Sequence, residues 1–385
     1  FLSIAEENSP LLNDFNNQIL ANKIDSIKLR ALYGINVTGE GSASYAPVIN
    51  GWGYDNALTN GQTVFAGAKV QKTLIGRNQI NTRLASFNAI KNQLLSLNGK
   101  AKQTIIKQVT DQYIATFLSQ QLLENANYIS KLLQQEDLVL QKLTRASAFK
   151  QTDYLSFKVT MQQTDLARQQ LQAELQSNYL MLNLISGIVD TTITNLEVPQ
   201  FKTHSASFDS SIYRQTYVAD SIKISNDAAI INYDYKPKIS AFSDAGYQSS
   251  LIQTSYKNFG ISIGFSISLP LYDGHTKKML LTQNDLLQNT KQKYFELAKK
   301  QYEQAVLQLK QQIINYQNII LTAQEHTSYV LTLVEANAKQ LPTGDVKTVD
   351  FIMSINNYLN LKVNIIQYQS TLYALQNQLN NIIIP

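Results

Sequence analysis

Phe259-Gly260-Ile261-Ser262-Ile263-Gly264-Phe265-Ser266-Ile267-Ser268-Leu269-Pro270-Leu271 alternates without a break between a large apolar residue and a small one. Period two marks a strand whose successive side chains point to opposite faces. A half-buried strand of an ordinary sheet would carry larger charged or amide side chains on its wet face, and here that face holds only Gly, Ser and Pro. The length suits a tilted bilayer-crossing strand, which needs roughly 9–11 residues. After Tyr272-Asp273-Gly274 no Gly or Pro occurs until Pro342, so a candidate membrane strand feeds a very long helix.

The pattern occurs twice. Val64, Ala66, Ala68, Val70 and Leu74 alternate in the same way, and the offset that carries Gly67 to Gly264 also carries Val70 to Ile267. The same offset carries Lys150-Gln151-Thr152-Asp153-Tyr154-Leu155 onto Lys347-Thr348-Val349-Asp350-Phe351-Ile352. The chain reads as an internal duplication of roughly 190 residues per copy, the long-period self-similarity that identifies repeat architectures. Residues 1–190 form the first repeat, 191–211 a crossover or equatorial linker, and 212–385 the second repeat.

Composition narrows the class. Among 385 residues there is no Cys, so disulfides and thiolate metal sites are excluded. The sequence opens at Phe1 without a basic segment and apolar core, so an export signal is read as removed or never present. No run of about 18 apolar residues exists, and any membrane crossing must use strands. The net charge of +5 comes from Lys and Arg spread among many Gln and Asn residues, without a basic cluster; it reads as a solvated surface, with no nucleic-acid partner.

Each copy reads as short helix, strand, strand, long helix, long helix. Ser9-Pro10 opens a helix to about Leu32, with a capping residue before a Pro at the first helical position. A β-hairpin follows at 33–75 around a loop containing Gly51-Trp52-Gly53-Tyr54, then a helical hairpin at 77–186 turning near Ala146–Gln151. The second copy repeats this as a helix at Ile212–Tyr233, a β-hairpin at 238–272 with its loop at Ser249–Asn258, and a helical hairpin at 275–384. Residues 276–341 alone would span on the order of 100 Å at 1.5 Å per residue. Tyr358, Leu361, Ile365, Tyr368, Leu372, Leu375 and Leu379 form a heptad seam, whose expected partner is the helix before Pro342-Thr343-Gly344. The fold class is mainly α with membrane β-strands, built from long antiparallel coiled-coil hairpins. Four strands cannot close a barrel and open edges are not tolerated in lipid, so several chains must pool strands, three chains giving twelve.

These residues resemble the TolC-like outer-membrane efflux proteins. The resemblance rests on the duplication, Ser9-Pro10, Lys236-Pro237-Lys238-Ile239-Ser240-Ala241 opening a strand, Ser268-Leu269-Pro270-Leu271-Tyr272-Asp273-Gly274 closing one, and Gly344 six residues before Asp350. It implies a homotrimeric duct in the outer membrane of a Gram-negative bacterium, with a twelve-stranded barrel in the outer-membrane lipid and a large periplasmic helical barrel. It further implies a periplasmic adaptor (membrane fusion) protein and an inner-membrane pump of RND, ABC or MFS type. The family's acidic constriction maps onto Asp350, while Met353 stands where close relatives of TolC carry a second Asp, and Val346, beside Lys347, stands at a basic latch position. The charged gate is thereby thinned, and packing of Val346, Phe351 and Met353 is expected to hold the closed state. Asp153 is the first-copy counterpart and reads equally as a carboxylate at a helix start. Ala148, Lys150, Thr343 and Gly344 mark the tip turns expected to meet the adaptor.

Enzymatic readings are poor. His204, His275 and His326 are far apart in sequence and lack acidic neighbours at ligating spacing, so no metal, cofactor or catalytic residue is assigned. Asp273-Gly274-His275 reads as a corner turn. The remaining alternative to a passive export duct is a pore-forming or coiled-coil structural protein not tied to a pump. A duct lined with Ser, Gly, Gln and Asn would be unselective, and the transported substrate is not legible.

Overall fold

The structure, a computed structural model, describes residues 1–54, 62–201, 207–250 and 256–383. In chain order it contains α1 (Leu2–Glu7), α2 (Pro10–Leu32), β1 (Asn36–Tyr45), β2 (Gln62–Leu74), α3 (Arg77–Arg145) and α4 (Gln151–Ser186). A short 3-10 turn at Phe208–Ser210 precedes α5 (Ile212–Asp234), β3 (Lys238–Ser249), β4 (Phe259–Ser268), α6 (Thr276–Gln340) and α7 (Thr348–Ile383). Among the described residues no helix is long and apolar enough to cross a membrane. His204 and residues 251–255 of the loop expected at Ser249–Asn258 lie outside the described residues.

The four strands form one antiparallel sheet in the order β1-β2-β3-β4, the two hairpins joining through β2 and β3. Directly opposed residues share a face, so the register sorts every side chain. One face collects Val37, Ala43, Val70, Leu74, Ile239, Ala245 and the five large residues of β4, from Phe259 to Ile267. Those five are 60–79% exposed, and none of the described residues covers them. The other face is crowded. A Cβ on Gly67 would come 2.8 Å from the Cα of Gly246, its directly opposed partner, and one on Gly246 only 2.5 Å from the Cα of Gly67. The ring of Phe242 lies over Gly264, 2.5 Å from where a Cβ would stand. Side chains larger than hydrogen are thereby excluded at Gly67, Gly246 and Gly264 on this face.

The return strand ends at Ser268, short of the expected Tyr272, because Pro270 has no N–H for the ladder and the chain then turns. At that corner the Asp273 carboxylate accepts the Lys277 N–H at 2.8 Å, capping the start of α6. Gly274 and His275 both take left-handed conformations, with φ of 62° and 64°. The first strand begins at Asn36 where an extended stretch from Tyr33 was expected, since the Gly34 N–H still bonds the Ala31 carbonyl at the end of α2. Ser9 accepts the Leu12 N–H at 3.4 Å as α2 opens.

The chain forms two compact units, each drawing on both halves of the sequence. One comprises Phe1–Asp14, Asn98–Gln215 and Glu296–Pro385, the other Phe15–Leu97 and Thr216–Phe295. In the second, which holds the sheet, buried Asp220 of α5 accepts from Lys291 of α6 at 2.6 Å and from Gln93 of α3 at 2.8 Å. Tyr217 and Phe295 stack beside them with ring centroids 4.1 Å apart. α2 buries no residue, and Leu20, Ile24, Ile27 and Leu32 stand exposed along it.

In the first unit the predicted heptad seam of α7 is only partly the buried one. Tyr358 and Ile365 are buried as expected, but so are Phe351, Ile355, Ile366 and Asn377, while Leu361, Tyr368, Leu372, Leu375 and Leu379 are half-buried. The reason is that α7 has more partners than α6. Phe157 of α4 and Ile129, Leu133 and Leu140 of α3 join Val334 and Leu341 in the same core as Phe351. A helix covered from several sides needs a wider apolar stripe than a two-helix seam.

Candidate functional site

Two interhelical turns carry the residues singled out in the sequence. Between α3 and α4 the Ala148 N–H bonds the Leu143 carbonyl at 2.9 Å and the Ser147 N–H bonds that of Thr144 at 3.0 Å. With Ser147 at φ 59° this is a complete Schellman stop on a residue other than Gly. Between α6 and α7 the Gly344 N–H bonds the Leu341 carbonyl at 3.2 Å, and Gly344 has φ 79°. Thr343 Oγ1 lies 2.9 Å from the Gln340 carbonyl and 2.6 Å from Asp345 Oδ2, fixing the turn's crest. Ala148, Lys150, Thr343 and Gly344 are all exposed.

Asp153 and Asp350 are each the third residue of a helix, α4 and α7. A carboxylate there meets the positive end of the helix dipole, a sufficient local reason for both. Asp350, Lys347 and Met353 are exposed, and Val346 and Asp153 half-buried. Among the described residues Asp350 makes no ion pair. Residues three apart on a helix share a face, so Asp350 and Met353 present one exposed surface. Phe351 does not belong to it. It is 0% exposed and stacks on Phe157 with centroids 6.5 Å apart, so it anchors the turn in the core and is not available to pack a gate. Further along the same hairpin, Asp137 pairs with Lys158 at 3.0 Å and accepts the Tyr154 hydroxyl at 3.1 Å. Burial, reinforced by that carboxylate, pushes the Tyr154 phenol up from its ordinary pKa.

The small-residue face of the sheet is the second candidate surface. It was expected to show only small and amide side chains, yet Glu40, Phe65, Lys69, Phe242 and Asp244 also lie on it. They escape a reading that follows the apolar members of each strand, because their signal is parity alone: each falls at the even or odd positions opposite the apolar set. Among the described residues no cluster of His, Asp or Glu is placed to hold a metal ion.

No protein-family profile matches the chain, and no curated protein does. Solved structures do match. CusC, described through its folding and transmembrane channel formation, superimposes with a TM-score of 0.82 at 12% identity, covering 100% of this chain and 91% of that one. The outer membrane protein VceC of Vibrio cholerae gives 0.78 at 13%, covering 99% and 94%. The open state of the MtrE outer membrane channel of Neisseria gonorrhoeae gives 0.77 at 11%, covering 99% and 87%. The chain therefore has the TolC-like fold, mostly helical with a four-stranded antiparallel sheet, shared with these outer-membrane channels.

Proposed function

We propose that this chain is the outer-membrane duct of an efflux or type I secretion system in a Gram-negative bacterium, a passive conduit that performs no chemistry. The observation that carries the reading is the row Phe259, Ile261, Ile263, Phe265 and Ile267, exposed on one face of β4, whose opposite face carries only Gly and Ser. Water would not tolerate such a face uncovered, whereas lipid tails cover it at no cost. A four-stranded sheet with two open edges needs partners in lipid, and three copies give a twelve-stranded barrel. Exposed Leu307, Ile314 and Leu321, spaced by sevens along α6, supply a stripe for packing between copies.

In this reading the two sequence repeats, 1–190 and 212–385, contribute equivalent hairpins to one ring. The turns at Ala148, Lys150, Thr343 and Gly344 meet a periplasmic adaptor, which couples the duct to an inner-membrane pump of RND, ABC or MFS type. Asp350 and Met353 line the constriction with Val346, Lys347 and Asp153 near it. The test is assembly followed by conductance. Detergent-extracted protein should have a native mass of about 130 kDa, three times 43.3 kDa, and form ion-conducting pores in planar bilayers. A monodisperse monomer in detergent refutes the reading.

A further inference from the structure

The register brings one residue from each strand to a common height on the sheet's small-residue face: Thr38, Lys69, Asp244 and Ser262. The adjoining row is Glu40, Gly67, Gly246 and Gly260, in which Glu40 is the only side chain. Lys69 Nζ stands 3.9 Å from Glu40 Oε1 and 5.7 Å from the centre of the Phe242 ring, held between acid and aromatic. Thr38 Oγ1 braces Glu40 at 3.4 Å, and Ser262 Oγ donates to Asp244 Oδ2 at 2.5 Å. On this face of the four strands the only other charge is Lys238, at the end next to the helices. Lys69 and Asp244 thus lie directly opposed in one row, and Glu40 reaches Lys69 from an adjoining row that is otherwise bare backbone, so three charged side chains from three different strands sit together.

We propose that Glu40, Lys69 and Asp244 form a charged belt inside the barrel that sets its ion preference toward small cations, independently of Asp350. The inference rests on the channel reading above. Lys69 offsets Glu40, so Asp244 leaves one net negative charge per chain and three around a trimeric barrel. Charges fixed on a pore wall raise the local concentration of counter-ions and bias permeation. The belt's polarity makes opposite predictions for its members. Lys69→Gln doubles the net negative charge, whereas Asp244→Asn cancels it.

The experiment is the reversal potential of purified trimers in planar bilayers across a potassium chloride gradient, for wild type, Asp244→Asn, Lys69→Gln and Asp350→Asn. At about 0.1 M salt, where the Debye length is about 10 Å, Asp244→Asn should shift the potential toward zero and Lys69→Gln further in the cation-selective direction. Both shifts should shrink at about 1 M, where the Debye length is about 3 Å. Wild-type potentials from both belt variants, with a shift only in Asp350→Asn, would overturn the belt while leaving the channel intact. Wild-type trimers that insert yet conduct nothing would overturn the belt and the channel together.

Discussion

Replacing Ile263 by Lys separates a lipid-facing strand from every water-soluble alternative. Ile263 is the middle of the five large residues of β4, directly opposite Ser243, and it is almost fully exposed. In water the substitution removes no core contact, and a surface change of that kind stays within about 0.5 kcal/mol. On the lipid face of a barrel near the bilayer midplane a Lys costs about 2–4 kcal/mol, hence about 6–12 kcal/mol for three copies. That rivals the roughly 5–15 kcal/mol by which a typical domain is stable at all. Ser266→Lys is the matched control, one strand position from Phe265 but on the opposite face, across from Ser240. The assay is urea-dependent folding into lipid vesicles, read as the transition midpoint and the fraction migrating as an assembled species. Ile263→Lys should lose assembly or shift its midpoint sharply, with Ser266→Lys close to wild type. Equal damage from the two, or none from Ile263→Lys, would refute the assignment of the apolar face to lipid.

Gly246→Val should abolish the assembled sheet, because its Cβ meets the Ala66 carbonyl oxygen and the Gly67 Cα at 2.5 Å each, whereas Gly260→Ala, with nothing within 4 Å, should fold in normal yield. Phe351→Ala should lower the thermal unfolding midpoint, since emptying a fully buried aromatic site costs about 3–5 kcal/mol, while Met353→Ala should leave that midpoint unmoved. The Asp273 carboxyl lies below its usual 3.8, chiefly because the Lys277 N–H donates to the charged form. Its contribution is therefore complete above 3.8 and disappears as pH falls through the lowered value; Asp273→Asn should remove that acid step from helical circular dichroism against pH. Asp350→Asn should reduce cation selectivity at the helix turns without disturbing the trimer, and Met353→Asp should strengthen it; unchanged selectivity in both would place the constriction elsewhere.

Much of this architecture is local and therefore legible in the chain itself. Alternation from Phe259 to Leu271 names a strand and assigns each residue to a face, because the period of two is a property of the extended backbone. Long stretches without Gly or Pro name the helices, and Gly344 and Asp273 mark turns whose backbone chemistry the structure reproduces. What period two cannot supply is the neighbour across the sheet. The pairing of β2 with β3 joins hairpins far apart in the sequence, and only that register places Lys69 opposite Asp244 and Gly67 against Gly246. The same holds for Phe242 over Gly264 and for Phe157 stacked on Phe351, which moved a residue read as part of the gate into the core. Heptad spacing shows that a helix wants a partner but not how many, so the four-helix core at the turns had to come from tertiary packing. Secondary structure and facing follow from interactions a few residues apart; charge rows, glycine contacts and core membership depend on strand register and helix docking, which the folded chain alone decides.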